Sequence, residues 1–176
     1  MHPATRPLRT LVETYLTAFR AVRHGPEPAH SEPDAPCLTN WTAAMRGREI
    51  VLVGSVSRHP LLGDTRIQTS TLIYVSQDRQ WARTLSRWYR LGAAFVPTLP
   101  AEHTGDLLPG FFVSIDEGII SLPLHMALKF TARRPQEVAD VAFRAGLDDL
   151  VPELIRLARA WPSMPKEISF QGAQAI

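Results

Sequence analysis

From residue 7 to residue 23 the apolar positions Leu8, Leu11, Val12, Tyr15, Leu16, Phe19 and Val22 recur at spacings of three and four. That period lines them along one face of a helix. Thr5 can cap it, Pro7 suits its first turn, and His24 with Gly25 supplies a stop. A basic amphipathic helix can also be a membrane or targeting segment, but Glu13 and the threonines weaken a lipid-facing reading, so docking on the rest of the chain is expected. Residues 24–37, HGPEPAHSEPDAPC, hold four prolines in fourteen positions. Missing amide donors forbid regular pairing there, and the segment reads as an extended linker.

From Glu49 the period becomes that of strands. Ile50, Val51, Leu52 and Val53, followed by Gly54 and Val56, predict a mostly buried strand; SRHPLLGD (57–64) is turn-rich, and TRIQTSTLIYV (65–75) predicts a second strand. The polar SQDRQ (76–80) connects it to WARTLSRWYRLG (81–92), which fits two templates. A helix would run from a Ser76 cap to Gly92, with Trp81, Leu85 and Trp88 on one side. A strand would alternate, placing Arg83 and Arg87 on the face of Trp81 and Tyr89. The strand is preferred, because a hairpin with residues 71–75 completes a small antiparallel sheet from neighbouring segments. After a proline-broken loop (96–110), Phe111–Ile115, the turn Asp116-Glu117-Gly118 and Ile119–Leu122 predict a further hairpin. Helices are expected over 124–131, 136–145 and 148–161. The fold class is therefore α+β: an antiparallel sheet of about five strands, a tethered N-terminal helix and a C-terminal helical layer. The division is a helix to residue 23, a linker over 24–37, a domain over 38–162 and a flexible tail over 163–176.

Composition narrows the setting. A chain of 176 residues suits one globular domain, and no run approaches the roughly 18 consecutive apolar residues of a membrane span. One cysteine allows neither an internal disulfide nor a multi-thiolate metal site, and no apolar stretch of signal-peptide type follows Arg6 and Arg9. A cytoplasmic protein without membrane attachment is expected.

Charge changes the picture more. The formal net charge is +2, yet residues 46–90 carry eight Arg against three acids, whereas residues 101–176 carry seven basic residues against ten acidic ones. Seventeen of the nineteen basic residues are Arg, whose planar fork binds phosphate or carboxylate bidentately. Arg79, Arg83, Arg87 and Arg90, interleaved with Trp81, Trp88 and Tyr89, are the candidate binding residues: cations for phosphates, rings for bases. The alternative use of these arginines is to pair with Asp148, Asp149 and Glu153 of the acidic C-terminal third.

Catalytic and metal signatures are weak. His59 with Asp64, His103 with Asp106, and His125 near the Asp116-Glu117 turn are pairs of the kind chance supplies, and none has a ligand spacing tied to a known geometry. Cys37 ends the linker without a positioned base, and Gly54-Ser55 lacks the surroundings of a nucleophile elbow. No metal, cofactor or catalytic residue is assigned. An enzyme ranks third, to be favoured if His59, Asp64, His103 and Asp116 line one cleft.

Two resemblances bear on function. Residues 138–147, VADVAFRAGL, resemble the first helix and turn of the second helix-turn-helix unit of AraC-type regulators, with Ala142 at the helix crossing and Gly146 at the turn. The following helix departs from that pattern, since Asp148, Asp149 and Glu153 would face phosphates. The stretch from Gly54 to Gly92, with its His-Pro turn (59–60), I-x-T-S strand (67–70) and W-A-R-T-x-S-R-x-Y-x-L-G segment, resembles a family of small uncharacterised proteins from alphaproteobacteria and their mobile elements, and LARAWP (157–162) matches it more loosely. That resemblance implies a bacterial origin and no mechanism. The expected function is a non-enzymatic binding module for an anionic partner, nucleic acid foremost; the alternative is a protein-interaction factor, such as a phage or mobile-element inhibitor of a host protein.

Overall fold

The computed structural model describes residues 5–26, 35–95, 112–114 and 118–162. Helix α1 (Thr5–His24) follows from its apolar spacing: Val12, Leu16, Phe19 and Val22 are all buried, and Ala18 beside them leaves room for a close approach. Gly25, at φ +80°, ends it by donating to the Val22 carbonyl. The tethered helix of the sequence reading thus docks on the domain, sharing a core cluster with Ile73, Trp88, Val138 and Leu154.

Six strands form the main path of one sheet: β1 (Cys37–Arg46), β2 (Glu49–His59), β3 (Gly63–Gln68), β4 (Leu72–Val75), β5 (Trp81–Thr84) and β6 (Trp88–Leu91), in the order β3-β2-β1-β6-β5-β4. Two short strands, β7 (Phe112–Ser114) and β8 (Ile119–Ser121), pair with each other, and β8 pairs with β1. The α+β class holds, but the sheet is larger than five strands and is mixed. Cys37 and Leu38 of β1 pair in parallel with Arg90 and Leu91 of β6, so the linker ends one residue earlier than expected, inside a strand. Gly54 is required at the centre, because a Cβ there would lie 2.9 Å from the Thr39 carbonyl oxygen and 3.0 Å from Trp41.

The sheet curls. After β3 the chain turns so that Thr69 N–H donates to the Leu52 carbonyl at 2.9 Å while Leu52 N–H donates to Thr69 Oγ1 at 3.0 Å, which brings β4 toward β2. The concave inner face holds one core, with Leu38, Leu52, Leu72 and Tyr89, closed by Ala127 and Leu128 of helix α2 (Leu124–Arg144). On the outer face, helix α1, the C-terminal half of α2 and helix α3 (Val151–Arg159) cover Ile73 and Trp88.

Two expectations are corrected. Residues 81–91 are neither one strand nor a helix but two strands joined at Leu85-Ser86, with Thr84 N–H bonded to the Arg87 carbonyl at 2.9 Å. Residues 124–144 form one helix instead of two: Pro135 is tolerated inside it, buried, at the expense of one backbone hydrogen bond. The α2–α3 hairpin turns at Gly146 (φ +68°) with Ala142 fully buried, as the helix-turn-helix resemblance implies locally. Helix α3, however, buries Leu154 and Leu157 in the cluster shared with α1. Neither the tail (163–176) nor most of the linker lies within the described residues. Among the described residues, no helix is long and apolar enough to cross a membrane.

Candidate functional site

Cross-strand partners share a face of a sheet, so register decides where each candidate side chain stands. Trp81 pairs with Arg90 and Arg83 with Trp88, while Ala82 pairs with Tyr89. Trp81, Arg83, Trp88 and Arg90 therefore project to the outer face, and Tyr89 projects to the inner one. Arg87, two residues before Tyr89, shares the inner side with it. The single stripe of the one-strand reading does not exist, because the turn at Leu85-Ser86 resets the alternation.

Burial divides the residues again. Trp88 and Tyr89 are in the core at 4% and 3% exposure, and Trp81 is half-buried. Arg79 and Arg90 are exposed; Arg79 sits on the β4–β5 turn at φ +57°, beyond Asp78, whose carboxylate accepts from Ser76 Oγ and from Gln80 N–H and is held below its usual range by those bonds. Arg83 is 8% exposed, its Nε has no partner, and burial lowers its pKa from the ordinary guanidinium value.

The row of Trp81 and Arg90 continues across the sheet. Arg90 pairs with Cys37 and Cys37 with Ser57, and the next outer row is Thr39, Ser55 and Arg66. This part of the outer face has Arg90, Ser55 and Arg66 exposed and Cys37, Thr39 and Ser57 half-buried. Sequence reasoning missed Arg66 and the two serines. The signal for the serines was present in the alternation of VGSVSR (53–58), where Ser55 and Ser57 occupy every second position of a strand otherwise apolar.

Two of the three acids counted as internal partners, Asp149 and Glu153, are engaged elsewhere. Arg9 of α1 grips Asp149 through two bonds of 2.9 and 2.7 Å, and Arg20 of α1 grips Glu153 through bonds of 2.9 and 2.5 Å. Hydrogen bonds from Arg9 and Arg20 hold both carboxyls below their usual range. Among the described residues, no salt bridge reaches Arg66, Arg79, Arg83 or Arg87.

The inner side of the β5–β6 turn gathers the remaining polar residues. Ser70 Oγ lies 3.0 Å from Thr84 Oγ1 and 2.9 Å from Ser86 Oγ, stapling the lead into β4 to the turn. Next to it the His59 ring stacks on Tyr89 at 6.5 Å between centroids, and His59 Nδ1 accepts from the amides of Leu61 (3.3 Å) and Leu62 (3.1 Å). Burial, helped by the Arg87 charge, pushes the His59 pKa down from 6.5. His59 is thus a structural acceptor, and no group of three metal-ligating side chains occurs among the described residues. His103, Asp106 and Asp116 lie outside them.

A family profile described as "Family of unknown function (DUF6634)" matches residues 5–109. The chain belongs to that family. The match takes in α1, strands β1 to β6 and all seven candidate residues, and it stops short of α2 and α3. No curated protein and no solved structure matches the chain.

Proposed function

We propose that this DUF6634 chain is a non-catalytic binding module that holds the phosphate backbone of a nucleic acid on the uncovered part of its outer sheet face. Arg66, Arg79 and Arg90 supply the cations, and Trp81 is the one candidate ring with an accessible edge. The observation that carries this reading is the engagement of Asp149 and Glu153 by Arg9 and Arg20. Those two acids are thereby occupied from the helical side, and among the described residues no salt bridge reaches Arg66 or Arg79.

Such contacts read backbone more than sequence. Three neutralised phosphates imply a loss of roughly 40-fold in affinity between 50 and 200 mM salt, from a slope of about −0.9 per phosphate. The test is titration of labelled duplex DNA, single-stranded DNA and single-stranded RNA at those two salt concentrations. Binding at low salt that collapses at high salt, with the slope reduced by about one in Arg66→Ala, is the expected result. No binding of any of the three at 50 mM overturns the reading.

A further inference from the structure

The β2–β3 hairpin ends in an open tip. Residues 60–66 are exposed without interruption, so neither face of the ribbon is covered there. At its tip stand Leu61, 80% exposed, and Leu62, 58% exposed, directly after the exposed Pro60. A lone surface leucine is ordinary; two adjacent ones at the end of an exposed ribbon mark a contact surface.

The tip is also held in shape. The buried His59 accepts both leucine amides through Nδ1, Arg58 N–H donates to Asp64 Oδ1 at 2.9 Å, and Arg58 and Gly63 adopt left-handed backbone at φ +59° and +65°. A flexible loop could fold its leucines back on the body. Here a buried imidazole and the Asp64 carboxylate, which accepts the Arg58 amide, hold the backbone that presents them. Arg58 and Arg66 stand on the two strands of the ribbon, and Arg66 belongs to the outer row that leads to Arg90 through Ser55 and its neighbours.

Resting on the nucleic-acid reading above, we infer that the ligand is duplex DNA and that Pro60, Leu61 and Leu62 form a wedge which enters a base step and bends the duplex. Single-strand binders need rings for successive bases, and two of the three candidate rings are buried in the cores. An apolar wedge on a ribbon flanked by arginines fits the other mode, in which unstacking one step lets the bent duplex lie along more of the protein.

The test uses the full chain and a duplex of about 30 base pairs with a donor and an acceptor dye at its two ends. The parent protein raises energy transfer, in keeping with a bend in the roughly 20–90° range of wedge binders. The double variant Leu61→Ser/Leu62→Ser, whose exposed positions leave both cores intact, binds within about threefold of the parent at 50 mM salt and no longer raises transfer. The apolar double variant Leu61→Met/Leu62→Met bends as the parent does. Duplex bound without a change in transfer overturns the wedge, as does equal bending by the serine variant, which would assign the leucines to an apolar pocket on a protein. Absence of any nucleic-acid binding at 50 mM overturns the nucleic-acid reading itself, a separate outcome from binding without bending.

Discussion

Trp88 and Arg90 lie two residues apart on one strand and project to the same face of the sheet, yet one is 4% exposed in a core and the other is open to solvent. The difference comes from what covers them. Over Trp88 the helices α1, α2 and α3 meet, and the charges of that side close on each other, Arg9 with Asp149 and Arg20 with Glu153. Over the rows that contain Arg90, Ser55 and Arg66 no described helix packs, and among the described residues no salt bridge joins Arg66 to those acids. The same residue types thus serve cohesion on the helical side and remain at the surface on the open side. Net charge cannot distinguish these uses, because an arginine in a helix-to-helix ion pair and one on an exposed sheet row count alike.

The strongest way to break the comparison is Trp88→Ala. Removing a buried indole from the cluster that joins sheet to helices is expected to cost about 3–5 kcal/mol in urea unfolding, whereas Arg90→Ala changes stability by less than about 0.5 kcal/mol. Similar losses at the two positions would mean that cover by the helices does not set the difference. Arg83 lies at the border: it shares the Trp88 face but is a buried cation with an unpartnered Nε. Arg83→Met keeps the length of the chain and removes the desolvated charge, so a gain on the order of 1 kcal/mol is expected in the same assay. A loss of that size would show that the guanidinium holds the border together.

Where the sequence was legible, one physical signal acted alone. Helix α1 could be read because its apolar spacing is uninterrupted, and β2 because Ile50 to Val53 is a continuous apolar run between turns. Strand β1 was not read: CLTNWTAAMR breaks its alternation at a bulge between Thr39 and Thr42, where Asn40 takes φ +47°, and its apolar residues serve both faces. The hairpin at 81–91 was hidden by a turn, Leu85-Ser86, without glycine, proline or asparagine. Pro135 misled in the opposite direction, since burial and neighbours on both sides carry the helix across it. For the site, the residue types were readable and their faces were not. A two-residue turn inside a presumed strand was enough to move Tyr89 to the opposite face from Trp81, and only register reveals that Arg66 is a neighbour of Ser55 and Thr39.

A pH titration sharpens the open side. The His59 pKa is depressed in the fold, so the unfolded chain takes up the proton first as pH falls. The contribution of this group is therefore complete above about pH 6.5, the unfolded value, and is lost progressively as pH falls from there toward the lower folded value. Because protonation of Nδ1 also removes the acceptor for the Leu61 and Leu62 amides, amide exchange at the hairpin tip is expected to accelerate over that same window. Chain carrying His59→Gln should show a flatter stability profile between pH 7 and 5. An unchanged profile would place the acid sensitivity on another group.

The smallest effect is expected where the contact looks strongest. Asp149 and Arg9 meet through two short bonds, but the carboxylate is exposed and the guanidinium only half-buried, and surface ion pairs return little because water competes for each charge and both side chains must be held in place. Asp149→Asn should accordingly shift the thermal midpoint far less than Trp88→Ala does. Its informative consequence is electrostatic. If the helical side closes its charges only upon itself, removing one acid there leaves the salt slope of nucleic-acid binding unchanged, while Arg66→Ala lowers it. A slope that rises in Asp149→Asn would mean that the released Arg9 reaches the same ligand as the sheet arginines, and that the two sides form one surface.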